Sequence, residues 1–77
     1  MNNAIKINPK DNVAVALRLI EKGETVLGVV AINEIPRGHK MALVEIQNKE
    51  DVLKYGQPIG HAIQNIHPGE HVHTHNI

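Results

Sequence analysis

The chain has no cysteine, no phenylalanine and no tryptophan, and Tyr55 is its one large aromatic residue. Without cysteine there are no disulfides, no thiolate zinc or iron–sulfur sites and no sulfur nucleophile. Without Phe or Trp, a core must be assembled from Val, Ile, Leu, Ala and the two Met. Net charge is also missing: eight Lys and Arg balance eight Asp and Glu, which excludes the basic surplus that draws a protein to nucleic acid. The longest apolar run, Val26 to Ile32, is far short of the ~20 residues that span a bilayer, and residues 1 to 10 lack the apolar stretch of an export signal. The expectation is a cytoplasmic protein with no membrane and no nucleic-acid partner. At 77 residues it reads as one domain, 1–77, able to bury only about 60% of the surface its unfolded chain exposes. A partner surface would help so small a core.

What is present reads as mostly strand and turn, with one exception. Asp11 and Asn12 can cap a segment in which Val13, Ala16, Leu17 and Ile20 fall at helical spacing, with Gly23 as the stop. A short helix is therefore expected over about residues 12–22. Thr25 to Ile32 is β-branched and apolar, giving one strand or two with Gly28 as a bend. Ile35-Pro36-Arg37-Gly38 is a turn, Met41 to Ile46 a strand, and Val52 to Tyr55 another, broken by Gly56. Ile59 to Ile66 is extended, and His67-Pro68-Gly69-Glu70 turns the chain. No internal repeat, low-complexity tract or linker stands out. Short strands punctuated by Pro-Gly turns indicate a compact, mostly-β module.

Six histidines lie in this small chain, and His71, His73 and His75 fall within five residues. In an extended strand, residues two apart share a face, so the trio would line one side while Val72 and Thr74 face the other. Imidazole is the commonest metal ligand, and a His-x-His pair on a strand can close on one ion. On a straight strand His71 and His75 would stand about 13 Å apart, so one ion could collect both only if the strand bends. The expectation is that two of the three bind metal, while the third meets substrate or supports the site. A solvated chain end is the plain alternative; the interleaved Val and Thr argue against an affinity tag.

Two further constellations carry chemistry. His39 and Lys40 follow a Pro turn and open a strand, where they can reach an anionic ligand. Lys54 and Tyr55 end another strand with a cation and a phenol. Together with imidazoles these suit a polyhydroxy carboxylate, with Lys holding the carboxylate and Tyr a hydroxyl. Solvated strand ends are the competing reading for the lysines, and a core ring with its hydroxyl at the rim for Tyr55. His61 and His67 read as turn or packing residues.

Four segments in order, PKDNVAVAL, IPRGHKMAL, KYGQPIGHAIQNI and GEHVHTHN, resemble the N-terminal SAF (antifreeze-like, β-clip) domain of the altronate and galactarate dehydratases. The likeness runs from about Ile7 to Asn76. It implies a β-clip fold, in which bent hairpins fold over one another around a small core. It also implies a metal-dependent hydro-lyase that removes water from a sugar acid to give a 2-keto-3-deoxy acid, with Fe(II) as the usual metal and Mn(II) or Zn(II) as alternatives. Carried over by motif, His71, His73 and His75 are the metal candidates, His73 and His75 the catalytic ones, and His39, Lys40, Lys54 and Tyr55 the substrate-binding ones.

In that family a much larger catalytic portion follows the SAF domain, or is a separate chain, so the resemblance implies a small subunit or an N-terminal domain, inactive alone. The expected partners are a large catalytic subunit and altronate or galactarate as substrate, with self-association through exposed strand edges as a further expectation. Elimination of water β to a carboxylate needs removal of an α-proton and help for a poor leaving group; histidine can act as the general acid. The alternatives are the small subunit of (R)-sulfolactate sulfo-lyase, which eliminates sulfite, and a non-enzymatic sugar-acid-binding β-clip module.

Overall fold

The computed structural model describes residues 3–77, all but the first two residues of the expected domain. Eight short strands carry the chain: β1 (Ala4–Ile5), β2 (Val13–Ala16), β3 (Thr25–Val26), β4 (Val29–Val30), β5 (Lys40–Ala42), β6 (Asp51–Lys54), β7 (Gln57–His61) and β8 (His71–Val72). They form a four-stranded antiparallel sheet in the order β1-β2-β5-β8 and two separate hairpins, β3-β4 and β6-β7. This mostly-β arrangement of small sheets and folded-over hairpins is the expected fold class.

The helix expected over residues 12–22 is not there, and no helix occurs among the described residues. Val13–Ala16 is a strand paired on both sides, with β1 and β5. Its small and β-branched residues are buried toward two different clusters. Val13 and its cross-strand partner Ala42 enter one, Ala14 and its partner Met41 the other. The spacing of Val13, Ala16, Leu17 and Ile20 only imitated a helical stripe: Leu17 is 48% exposed. A lone three-turn helix is marginal in water, whereas a central strand gains ladders on both edges and burial on both faces.

After the strand comes a nine-residue loop that recurs four times, at 16–24, 31–39, 42–50 and 62–70: ALRLIEKGE, AINEIPRGH, ALVEIQNKE and AIQNIHPGE. The expectation of no internal repeat is thus corrected; the copies are unevenly spaced, so no fixed period reveals them. In each, the first Ala and the fifth-position Ile (Ile20, Ile35, Ile46, Ile66) are buried, and the eighth residue has positive φ: Gly23 92°, Gly38 83°, Lys49 77°, Gly69 85°. The loops pair reciprocally. Ile20 and Ile35 exchange backbone hydrogen bonds of 2.9 and 2.8 Å, as do Ile46 and Ile66 at 2.9 and 2.7 Å. Each loop's eighth N–H donates to the first carbonyl of its partner, for example Gly38 to Ala16 at 2.9 Å and Gly69 to Ala42 at 2.8 Å.

The hairpins turn on paired left-handed residues, Leu27 (φ 50°) with Gly28 (φ 79°), and Tyr55 (φ 58°) with Gly56 (φ 72°). Positive φ at both central positions is the type I′ geometry that matches strand twist. Gly28 therefore does divide Thr25 to Ile32 into two strands. Tyr55 rides the second tip and is 58% exposed, which overturns its reading as a core ring. The core is aliphatic, in two clusters centred on Ile20, Ile35 and Met41 and on Ile46, Val52 and Ile66.

Candidate functional site

The loop repeat explains where a histidine was free to go. In three of the four loops the ninth residue is Glu, and its carboxylate accepts the backbone N–H three residues earlier: Glu21 N–H to Glu24 at 3.2 Å, Gln47 to Glu50 at 2.8 Å, His67 to Glu70 at 3.1 Å. In the second loop that earlier residue is Pro36, which has no N–H to satisfy, and the ninth residue is His39. Its imidazole is left free at the mouth of β5, beside the antiparallel neighbour β8.

Strand β8 brings His71 to the same place. Its backbone N–H donates to Asn33 Oδ1 at 3.0 Å, and its Nε2 lies 2.9 Å from His39 Nδ1. The strand ends at Val72, and residues 73–76 turn: His73 carbonyl accepts the N–H of Asn76 at 3.1 Å and of Ile77 at 3.2 Å. The His39 and His73 rings lie 4.1 Å apart, and those of His71 and His73 5.6 Å apart. One ligand nitrogen from each of His39, His71 and His73 falls within 4.8 Å of the others. Because the chain bends, the His75 ring comes back to 5.3 Å from that of His71, though it is more exposed and outside this trio.

The electrostatics favour neutral imidazoles. Burial, followed by the neighbouring His39 and the other imidazoles, lowers the His71 pKa from its ordinary value; burial, His39 and Lys40 do the same for His73. Lys40 is half-buried and its pKa is also lowered, by burial first and then by the charge of Lys54. The Lys54 ammonium stands 5.1 Å from the Tyr55 ring centroid. The one ion pair among the described residues is Arg18–Glu24, so neither lysine is matched by a carboxylate. Lys40 follows His39 at the start of β5, near enough to Lys54 to feel its charge, and Tyr55 follows Lys54 at the hairpin tip.

Three further groups shape the site, in roles that the sequence did not show. Asn76 is fully buried and tied to both sides of the histidine turn. Glu70, which precedes His71, is occupied as a scaffold: it accepts from His67 N–H and from Asn76 Nδ2. Asp11, expected as a helix cap, instead holds the Tyr55 tip, accepting from Asn8, Tyr55 and Gly56 N–H at 3.1, 3.0 and 2.7 Å. The legible signal was the loop repeat, in which a His standing where the other copies have Glu marks a residue released from turn closure.

A trio of half-buried imidazoles can hold a divalent cation; two nitrogens on one tetrahedral ion, each about 2.1 Å from it, sit roughly 3.4 Å apart, within reach of the observed spread. Unpaired lysines alongside can hold an anion. Comparison with known proteins gives the family. Altronate dehydratase of Bacillus subtilis is 48% identical over 99% of this chain and 16% of its own length. Altronate dehydratase of Escherichia coli is 46% identical over 94% of this chain and 15% of its own. The alpha subunit of (2R)-sulfolactate sulfo-lyase from Chromohalobacter salexigens is 49% identical over 56% of this chain and 46% of its own. The chain thus spans about a sixth of the dehydratases and about half of that subunit. Residues 2–77 match the family described as the altronate/galactarate dehydratase SAF domain, and to that family this chain belongs.

Proposed function

We propose that this chain is the SAF portion of a metal-dependent sugar-acid dehydratase, acting as a small subunit or N-terminal domain with a larger catalytic region. The observation that carries the reading is the convergence of His39, His71 and His73 from two stretches distant in the chain, with Lys40 adjoining them. A divalent cation fits this donor set: three half-buried imidazoles, two of them biased toward the neutral form. His39, His71 and His73 would hold it, and it would supply Lewis acidity toward the departing oxygen, Fe(II) being the metal of choice. Three nitrogens leave positions open, for substrate and for groups from the larger region.

The chain's own residues then divide the work. Lys40 and Lys54 hold the substrate carboxylate, and their mutual repulsion is relieved when that anion arrives. Tyr55, at an exposed tip fixed by Asp11, donates to a hydroxyl. His75, outside the trio but with its ring 5.3 Å from that of His71, serves in this reading as the acid that protonates the leaving hydroxide. The base that removes the α-proton belongs to the larger region. Altronate is favoured as substrate because both dehydratases of highest coverage bear that name.

The test is reconstitution of this chain with a cognate large region and Fe(II), offering altronate, galactarate and sulfolactate. Keto-acid formation that requires both parts and disappears in His39→Ala and His73→Ala supports the reading. Sulfite release from sulfolactate would reassign it to the sulfo-lyase branch. Turnover by the large region alone at full rate would sink it in favour of a binding module.

A further inference from the structure

We infer that Asn76 is the positioning residue of the histidine site: its carboxamide, and not the strand, sets the separation of the His71 and His73 imidazoles. This rests on the proposed function for its ligand, but its geometry stands by itself. Strand β8 stops at Val72, so strand alternation cannot place His73. Asn76 does so with every polar atom it has. Its Oδ1 accepts the His73 N–H at 2.9 Å, and its Nδ2 donates to the His71 carbonyl at 2.8 Å and to Glu70 Oε2 at 3.2 Å. Its backbone N–H reaches the His73 carbonyl at 3.1 Å, and its carbonyl accepts Ile63 N–H at 3.0 Å. The residue is fully buried, so no water substitutes for a lost partner.

This bonding pattern selects asparagine. Aspartate has the same shape and keeps the acceptor for His73, but lacks both Nδ2 donors. It would set a carboxylate against the His71 carbonyl and the Glu70 carboxylate. Glutamine carries the amide one carbon too far. Glu70 joins the same unit, since its other oxygen closes the fourth loop through His67 N–H. Loop closure and imidazole placement are therefore mechanically linked through one Glu–Asn hydrogen bond.

The experiment uses the full chain and two readouts. The first needs no metal: imidazole 15N shifts report the His39 Nδ1–His71 Nε2 hydrogen bond, and ring-proton NOEs report the His71–His73 separation, 5.6 Å between centroids; together they are the imidazole signature. The second is Co(II) titration followed by absorbance. In Asn76→Asp with the fold retained, the expected results are loss of the imidazole signature and about 10- to 100-fold weaker Co(II) binding, the usual effect of disturbing groups behind metal ligands. Asn76→Asp with Glu70→Gln rebuilds that hydrogen bond with donor and acceptor exchanged, and recovers part of both. If Asn76→Asp does not fold, Glu70→Gln alone serves, because its amide can satisfy His67 or Asn76 but not both. An unchanged imidazole signature in the folded variant overturns the inference. Wild type that takes up no Co(II) overturns the metal reading instead, while a signature lost in Asn76→Asp would still uphold the positioning role.

Discussion

Gly69→Ala and Gly23→Ala make the same chemical change at equivalent positions of two loops, with φ of 85° and 92°. Each pays for a Cβ in the left-handed region, about 1–2 kcal/mol, offset by about 0.4–1 kcal/mol from a stiffer unfolded chain. At Gly23 nothing lies within 4 Å of the added methyl, so the net loss is about 1 kcal/mol. At Gly69 the methyl would overlap the carbonyl oxygen of Val30 and sit 3.0 Å from its carbonyl carbon. Val30 immediately precedes the second loop, whose Ile32 N–H bonds Gly69 carbonyl at 2.9 Å, so the backbone has little room to yield. Overpacking adds roughly 1–3 kcal/mol, for a total of about 2–4. A chain of this size is stable by only about 4–12 kcal/mol. With m of about 1 kcal/mol/M in urea, the midpoint should fall by about 1 M for Gly23→Ala and about 2–4 M for Gly69→Ala. Equal shifts in equilibrium urea unfolding would refute the claim that loops two and four are locked backbone to backbone.

Converting the second loop to the pattern of the others, Pro36→Gln with His39→Glu, should keep or raise stability by about 0.5–1 kcal/mol by adding a turn-closing hydrogen bond, while abolishing Co(II) uptake; calorimetry and titration check the two halves. Acid should destabilise the chain in two stages. The lowered pKa values of His71 and His73 mean the unfolded chain takes protons first, so stability falls as pH drops below the ordinary histidine value. For Asp11, burial pushes the carboxyl up, but hydrogen bonds from Gly56, Asn8, Tyr55 and Ile7 outweigh it and the pKa is lowered. Its contribution holds above the ordinary aspartate value and is lost as pH falls through the lowered folded one. Urea midpoints against pH should show His71→Gln flattening the upper stage and Asp11→Asn the lower.

Much of the site was legible one residue at a time, and little of it as a set. His71, His73 and His75 stood out by spacing, yet the trio whose nitrogens meet includes His39, 32 residues before His71. Alternation predicted a straight line of imidazoles, and only the turn held by Asn76 shows that the line bends. Lys40, Lys54 and Tyr55 were singled out as strand ends; that Lys40 feels the charge of Lys54 depends on how the β6-β7 hairpin lies against the sheet. The lost helix has a similar cause. Over eleven residues a strand and the loop after it can bury positions at the same intervals as a helix, and the choice is made by β1 and β5, which lie elsewhere in the chain.

The amino-acid sequence by itself determined the aliphatic core, the absence of sulfur chemistry, the turns at Gly38 and Gly69, and the supply of imidazoles and lysines. These follow from composition and from backbone angles that glycine and proline impose locally. The tertiary structure decided that Val13–Ala16 is a strand, that four loops pair in twos, and that His39 meets His71 and His73. Each of those outcomes is a hydrogen bond or a buried contact between residues far apart in the chain, and no local preference can encode which distant partner will satisfy it.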